Sequence, residues 1–169
     1  ALLKVRNEMG LTNVKLMVPF CRTPEEGRRV IEVMREFGLV QGEEGLEIYV
    51  MCEIPSNVVS AEAFSDVFDG FSIGSNDLIQ YLFAIDRNNE RIAADYDPDK
   101  PVFWRLLQDL ADAARDADKP LALCGEIGGQ PQYLPRLIEL GIDCTSVSPR
   151  LVGLARVAAR KHLTVTAER

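Results

Sequence analysis

Residues 49–55 read Tyr49-Val50-Met51-Cys52-Glu53-Ile54-Pro55, and residues 70–77 read Gly70-Phe71-Ser72-Ile73-Gly74-Ser75-Asn76-Asp77. Each is a short run for a strand that stops abruptly, once on an acid and once on a cluster of helix-capping residues. The first is a continuous apolar run rather than an alternating one, the signature of a strand covered on both faces in a parallel α/β sheet. The pattern repeats outward from these two. Lys15–Phe20, Glu47–Glu53, Gly70–Gly74, Pro120–Cys124 and Cys144–Ser148 read as five strands, with amphipathic helices between them. Thr23-Pro24-Glu25-Glu26 combines a cap, a proline at the first helical position and a capping-box acid. Val30, Ile31, Met34 and Phe37 then make one apolar face, and Gly38 ends it. The spacing recurs at Leu106, Leu107, Leu110, Ala113 and Ala114, at Tyr133, Leu134, Leu137 and Ile138, and at Leu151, Leu154, Ala155 and Ala158.

Strands alternating with helices predict consecutive βα units. The expected fold is α/β, a partial (β/α)8 barrel holding roughly the last five βα units across residues 1–169. A closed barrel needs about 250 residues. Ala1–Met9 reads as the tail of a helix, with Leu2, Leu3, Val5 and Met9 as its apolar positions and Gly10 as its stop. The expectation is therefore the later part of a barrel taken from a longer polypeptide. The rival is a complete doubly wound domain, but no glycine-rich loop follows an early strand.

Composition narrows the function. Of 169 residues, 47% are apolar and 27% charged, and the formal net charge is −7, which argues against a general nucleic-acid or anionic-membrane surface. No apolar run approaches the roughly 20 residues that span a bilayer. Cys21, Cys52, Cys124 and Cys144 lie far apart without a C-x-x-C pair, so reduced cytoplasmic thiols are expected. The single histidine, His162, sits in Arg160-Lys161-His162 and reads as a solvated helix end. It excludes a two-histidine zinc site and leaves no dedicated partner for a Cys–His hydrolase pair.

In a parallel barrel the working residues sit at the carboxyl ends of the strands. Those ends supply Glu53, then Asn76 and Asp77, then Cys124 and Glu126. An acid directly after a buried strand is costly unless paired or metal-bound. Glu53 reads either as a metal ligand or as a capping or salt-bridged acid, and Asp77 either as a ligand or as a helix cap. Two carboxylates from neighbouring strand ends suit Mg²⁺, which takes oxygen ligands and keeps waters for a substrate. Cys124 precedes the loop Gly125-Glu126-Ile127-Gly128-Gly129; it reads as an apolar filler or as a thiol placed for proton transfer or nucleophilic attack. Cys52 points away from Glu53 on an alternating strand and reads as packing.

Four segments together carry a family resemblance. Lys15–Thr23 (Lys-Leu-Met-Val-Pro-Phe-Cys-Arg-Thr), Met51–Asn57, Gly70–Asp77 and Cys124-Gly125-Glu126 resemble the phosphoenolpyruvate-utilising barrel, whose members include phosphoenolpyruvate synthase, pyruvate phosphate dikinase and enzyme I of the sugar phosphotransferase system. Val5–Asn76 is most similar to the synthase, whereas Leu78–Glu90 and Cys124–Gly129 resemble the other two branches at least as well. The resemblance implies that Glu53 and Asp77 bind Mg²⁺ and that Asn76 contacts the substrate phosphoryl group. It implies that Ser75, Gly125 and Arg87 belong to the substrate site. It further implies that Cys124 protonates the enolate carbon of pyruvate. The implied partners are phosphoenolpyruvate or pyruvate, a phosphohistidine domain of the same parent chain, and a second copy of the chain in a homodimer. His162 lies in no phosphohistidine motif, the family's earlier-strand arginines and nucleotide domain are absent, and Ile79 and Gln130 replace a common Thr and Asp. The alternatives are a non-catalytic partial barrel that binds a ligand and another Mg²⁺-enolate barrel enzyme such as an aldolase or lyase.

Overall fold

The computed structural model describes residues 1–86, 88–92 and 95–167. Five parallel strands form one sheet in the order β1 (Leu16–Val18), β2 (Ile48–Cys52), β3 (Gly70–Gly74), β4 (Leu121–Cys124) and β5 (Cys144–Ser146). Spatial order equals sequence order, with no reversal. A doubly wound sheet has a switch point where the order reverses; its absence among the described strands is the topology of a barrel wall. The fold is a five-strand arc of a (β/α)8 barrel, with β1 and β5 each paired on one side only among the described residues.

The helices cover the outer face of the arc. They are α1 (Pro24–Glu36), α2 (Pro55–Val59), α3 (Ala61–Ser65), α4 (Ser75–Phe83), α5 (Pro101–Asp116), α6 (Leu134–Leu140) and α7 (Val152–Ala167). Ile48, Val50 and Cys52 of β2, Phe71 and Ile73 of β3, and Leu121 and Leu123 of β4 point outward into this layer, where Phe64, Phe68, Phe103, Trp104, Leu107 and Leu110 fill the core. Gly27 lets α1 approach closely: a Cβ there would stand 2.7 Å from the Phe68 ring. The cap at Thr23 forms as read, its Oγ1 accepting from the Glu26 N–H at 3.2 Å, and Glu26 returns a bond to the Arg22 N–H at 2.7 Å.

Several expectations are corrected. Only the central strand β3 is buried on both faces; burial alternates along β1, β2 and β4, and Met17, Cys144 and Ser146 on the inner face are exposed. Phe37, expected on the apolar face of α1, is 72% exposed, because the helix ends at Glu36 and Phe37 already turns away. Leu154 is exposed too. In the first segment Leu2, Leu3 and Met9 are exposed while Arg6 is buried; its guanidinium donates to the carbonyls of Thr12, Val14 and Glu44 at 2.8, 2.6 and 2.8 Å. That charge is accommodated because every bond it makes ends on a carbonyl the local turns leave unpaired. His162 is not at a helix end: α7 continues to Ala167, and the imidazole is half-buried 3.5 Å from Glu139. No helix among the described residues is long and apolar enough to cross a membrane.

Candidate active site

The carboxyl ends of β2, β3 and β4 lie side by side, and the register fixes what meets there. Cys52 pairs with Ile73 and Gly74 with Cys124, so Glu53, the first turn of α4 and the Cys124–Glu126 turn surround one point. Glu53 is 6% exposed. Its Oε1 accepts the Phe20 N–H at 2.6 Å, and Phe20 takes a left-handed conformation (φ 51°) that turns this N–H inward after β1. Gly74 supplies room: a Cβ at that position would stand 2.9 Å from the Glu53 Cβ and 3.0 Å from its Oε2. Burial pushes the Glu53 carboxyl above the ordinary carboxylate range; the Phe20 N–H partly offsets this and the negative charge of Asp77 adds to it. Two acids within electrostatic reach, one of them desolvated, form a site that a cation stabilises.

Ser75, Asn76 and Asp77 open α4, which is where a strand-to-helix junction places polar groups at a barrel mouth. Ser75 is fully buried and donates through Oγ to the Cys124 carbonyl at 3.0 Å. Asn76 Oδ1 accepts the Glu126 N–H at 3.2 Å. These two bonds clamp β3 against the end of β4. Gly125 sits inside the clamp at φ 116°, and a Cβ there would approach Ser75 Oγ to 2.1 Å, so only glycine fits. Cys124 is half-buried. Burial raises its thiol pKa, a hydrogen bond with the Ser72 hydroxyl lowers it, and the charges of Glu53 and Asp77 raise it. The net direction is upward, so the thiol is held neutral.

The structure thus gathers Glu53, Ser75, Asn76, Asp77, Cys124 and Gly125. Arg87 lies outside the described residues. Cys52 is fully buried in the outer layer, as read, and burial pushes its thiol far up. Cys21 is buried and Cys144 is exposed. Three contributors escaped the sequence reading. Asn57 is fully buried; its Nδ2 donates to the Cys21 carbonyl at 2.7 Å and its Oδ1 accepts from the Glu53 and Ile54 N–H groups, both at 3.2 Å. It ties the turn after β1 to the end of β2 and so holds Glu53. Its signal was an amide in the first turn after Pro55. Ser72 lies on the inner face of β3, legible only once the face is known. Tyr96, with its hydroxyl 3.2 Å from Asn76 Oδ1, belongs to a loop without periodicity. Among the described residues no three His, Cys, Asp or Glu side chains gather to form a metal cage. The donor set is two carboxylates, which fits a Mg²⁺ ion that keeps water and substrate oxygens as further ligands.

A barrel arc with two carboxylates and a thiol at adjacent strand ends carries its polar groups where (β/α) barrels place their active sites. The chain belongs to the family of the PEP-utilising enzyme, PEP-binding domain, whose model matches residues 1–164. It is 48% identical to the phosphoenolpyruvate synthase of Aquifex aeolicus over 169 residues, covering 98% of this chain and 20% of that one. It is 49% identical to the phosphoenolpyruvate synthase of Synechocystis over 150 residues, covering 88% of this chain and 18% of that one. The phosphoenolpyruvate-protein phosphotransferase of Geobacillus stearothermophilus is 40% identical, with 88% and 27% covered. The chain therefore spans about a fifth of the length of the curated synthases it matches. Among solved structures, a citrate lyase from Burkholderia xenovorans superposes with TM-score 0.60 at 15% identity (85% of this chain, 48% of that one), and RipC from Yersinia pestis with TM-score 0.58 at 10% identity (86% and 63%). At those identities the likeness is one of fold.

Proposed function

We propose that this chain is the phosphoenolpyruvate- and pyruvate-binding part of a phosphoenolpyruvate synthase-type phosphotransferase. The observation that carries the reading is the convergence of Glu53, Asp77 and the neutral Cys124 thiol at the ends of three adjacent strands. In this reading Glu53 and Asp77 hold Mg²⁺, and Asn76 donates to a phosphoryl oxygen. Arg87 adds positive charge at the substrate. A bound Mg²⁺ would supply charge neutralisation for the substrate's oxygens. The Cys124 thiol protonates C3 of the enolate as phosphoenolpyruvate loses its phosphoryl group, giving pyruvate. In reverse the thiolate removes that proton, and the enolate oxygen takes the phosphoryl group from a phosphohistidine. A thiol near its ordinary pKa of about 8.5 or above is a proton donor at neutral pH.

The phosphohistidine belongs to another domain of a longer parent chain, and the sheet edges β1 and β5 are where a second copy or further barrel units would pair. Identity favours the synthase branch, with synthases at 41–49% against 40% for the phosphoenolpyruvate-protein phosphotransferase. The test is titration of the parent protein with phosphoenolpyruvate, with and without Mg²⁺. Mg²⁺-dependent binding that Asp77→Asn abolishes is expected. Binding indifferent to both changes overturns the reading.

A further inference from the structure

The side-chain amide of Asn76 is oriented by two neighbours. Asn76 Oδ1 lies 3.2 Å from the Glu126 backbone nitrogen and 3.2 Å from the Tyr96 hydroxyl. A hydroxyl can donate or accept, so Tyr96 alone would not decide which end of the amide it faces. The Glu126 N–H can only donate, so the atom facing it is the oxygen. Tyr96 then donates to the same oxygen. Both acceptor positions of Oδ1 are used, and among the described residues Nδ2 donates to no protein group. Asn76 also lines a cavity of about 470 Å³ with Gly125, Gln130, Ser146 and Ser148, next to the end of β4.

Tyr96 is itself held in place. Its ring is packed against the core. A few residues on, Lys100 Nζ donates to the Asp95 carbonyl at 3.0 Å and lies 4.7 Å from the Phe83 ring centre at the end of α4. The segment carrying Tyr96 is thus tied through Lys100 to the end of α4.

We infer that Tyr96 is a positioning residue that locks the Asn76 amide with its NH₂ toward the substrate, as a donor for a phosphoryl oxygen. This rests on the function proposed above and adds to it the residue that reinforces the amide orientation set by the Glu126 N–H. Without the Tyr96 hydroxyl one of two bonds fixing Oδ1 is lost, and the amide, held by the Glu126 N–H alone, samples rotamers in which Nδ2 no longer faces the substrate. The penalty falls on ligands that carry the phosphoryl group and spares those that lack it.

The experiment is calorimetric titration of the parent protein, in Mg²⁺, with phosphoenolpyruvate and separately with pyruvate. It compares wild type, Tyr96→Phe, Asn76→Ala and the double variant. Tyr96→Phe is expected to weaken phosphoenolpyruvate binding about tenfold, to leave pyruvate binding within about twofold, and to keep the melting temperature within about 2 °C. In the Asn76→Ala background Tyr96→Phe should have no further effect on phosphoenolpyruvate, since its action runs through that amide. Equal losses for the two ligands, no loss for either, or additive losses in the double variant overturn the inference while leaving the proposed function standing. Wild-type protein that binds neither ligand overturns both.

Discussion

Replacing Gly125 by alanine tests the clamp between β3 and β4 at one atom. Gly125 sits at φ 116°, ψ 179°, a region essentially restricted to glycine, and holding another residue there costs about 1–3 kcal/mol. The new Cβ would also stand 2.1 Å from Ser75 Oγ and 3.1 Å from Asn76 Oδ1. Ser75 is buried and held within the first turn of α4, so it relieves the contact only by giving up its bond to the Cys124 carbonyl. That bond contributes about 1 kcal/mol net. The local cost is roughly 2–4 kcal/mol, which makes opening of this turn roughly 30- to 1,000-fold more frequent. Hydrogen exchange measured by mass spectrometry on peptides spanning residues 121–130 of the parent protein reads that opening directly. Gly10→Ala is the control, because Gly10 also has a positive φ of 69° but a Cβ there meets nothing within 4 Å; it should leave exchange at residues 121–130 unchanged. Wild-type protection of that segment in Gly125→Ala would refute the clamp.

Asn57→Ala should cost about 2–5 kcal/mol, because it strips the acceptor from two buried N–H groups and the donor from the Cys21 carbonyl; a lowered thermal midpoint together with weaker Mg²⁺ binding checks it. Glu53→Gln should stabilise the metal-free protein at neutral pH but not at acid pH. The folded-state pKa of Glu53 is raised, so its favourable contribution is complete below the unfolded value of about 4.3 and is lost as pH rises through the folded value. Denaturation of both proteins in chelator across that range shows whether the difference opens with rising pH. Thiol labelling of the four cysteines of this chain should proceed in order: exposed Cys144 at once, Cys124 slowly with a rate that climbs above the ordinary thiol range, and buried Cys21 and Cys52 only on unfolding. Site-resolved mass spectrometry gives the order.

The strands and their order were legible because buried runs bounded by capping residues have few other solutions. All five predicted strands appear, each within the predicted range. The placement of Glu53, Asp77 and Cys124 at adjacent strand ends was legible, because one local rule fixes it. What the sequence hid depends on distant partners. Arg6 looks like a solvated charge among the apolar helix positions Leu2, Leu3, Val5 and Met9, and its burial follows from carbonyls at residues 12, 14 and 44 that only the folded chain brings together. Asn57 and Tyr96 act through hydrogen bonds to residues 36 and 20 positions away, which no periodicity encodes. The continuous apolar run of β2 promised two covered faces, yet its inner-face residues Tyr49 and Met51 are only half-buried.

The central claim is that Cys124 moves the proton at the carbon of pyruvate that becomes the enolate terminus. It is tested most directly by following loss of pyruvate methyl protons into D₂O with the phosphorylated parent protein and Mg²⁺, comparing wild type with Cys124→Ala. A positioned general acid or base contributes about 10²–10⁴-fold, so the variant should exchange slower by that factor while its melting temperature and Mg²⁺ binding stay near wild type. Exchange at the wild-type rate in Cys124→Ala would contradict the account.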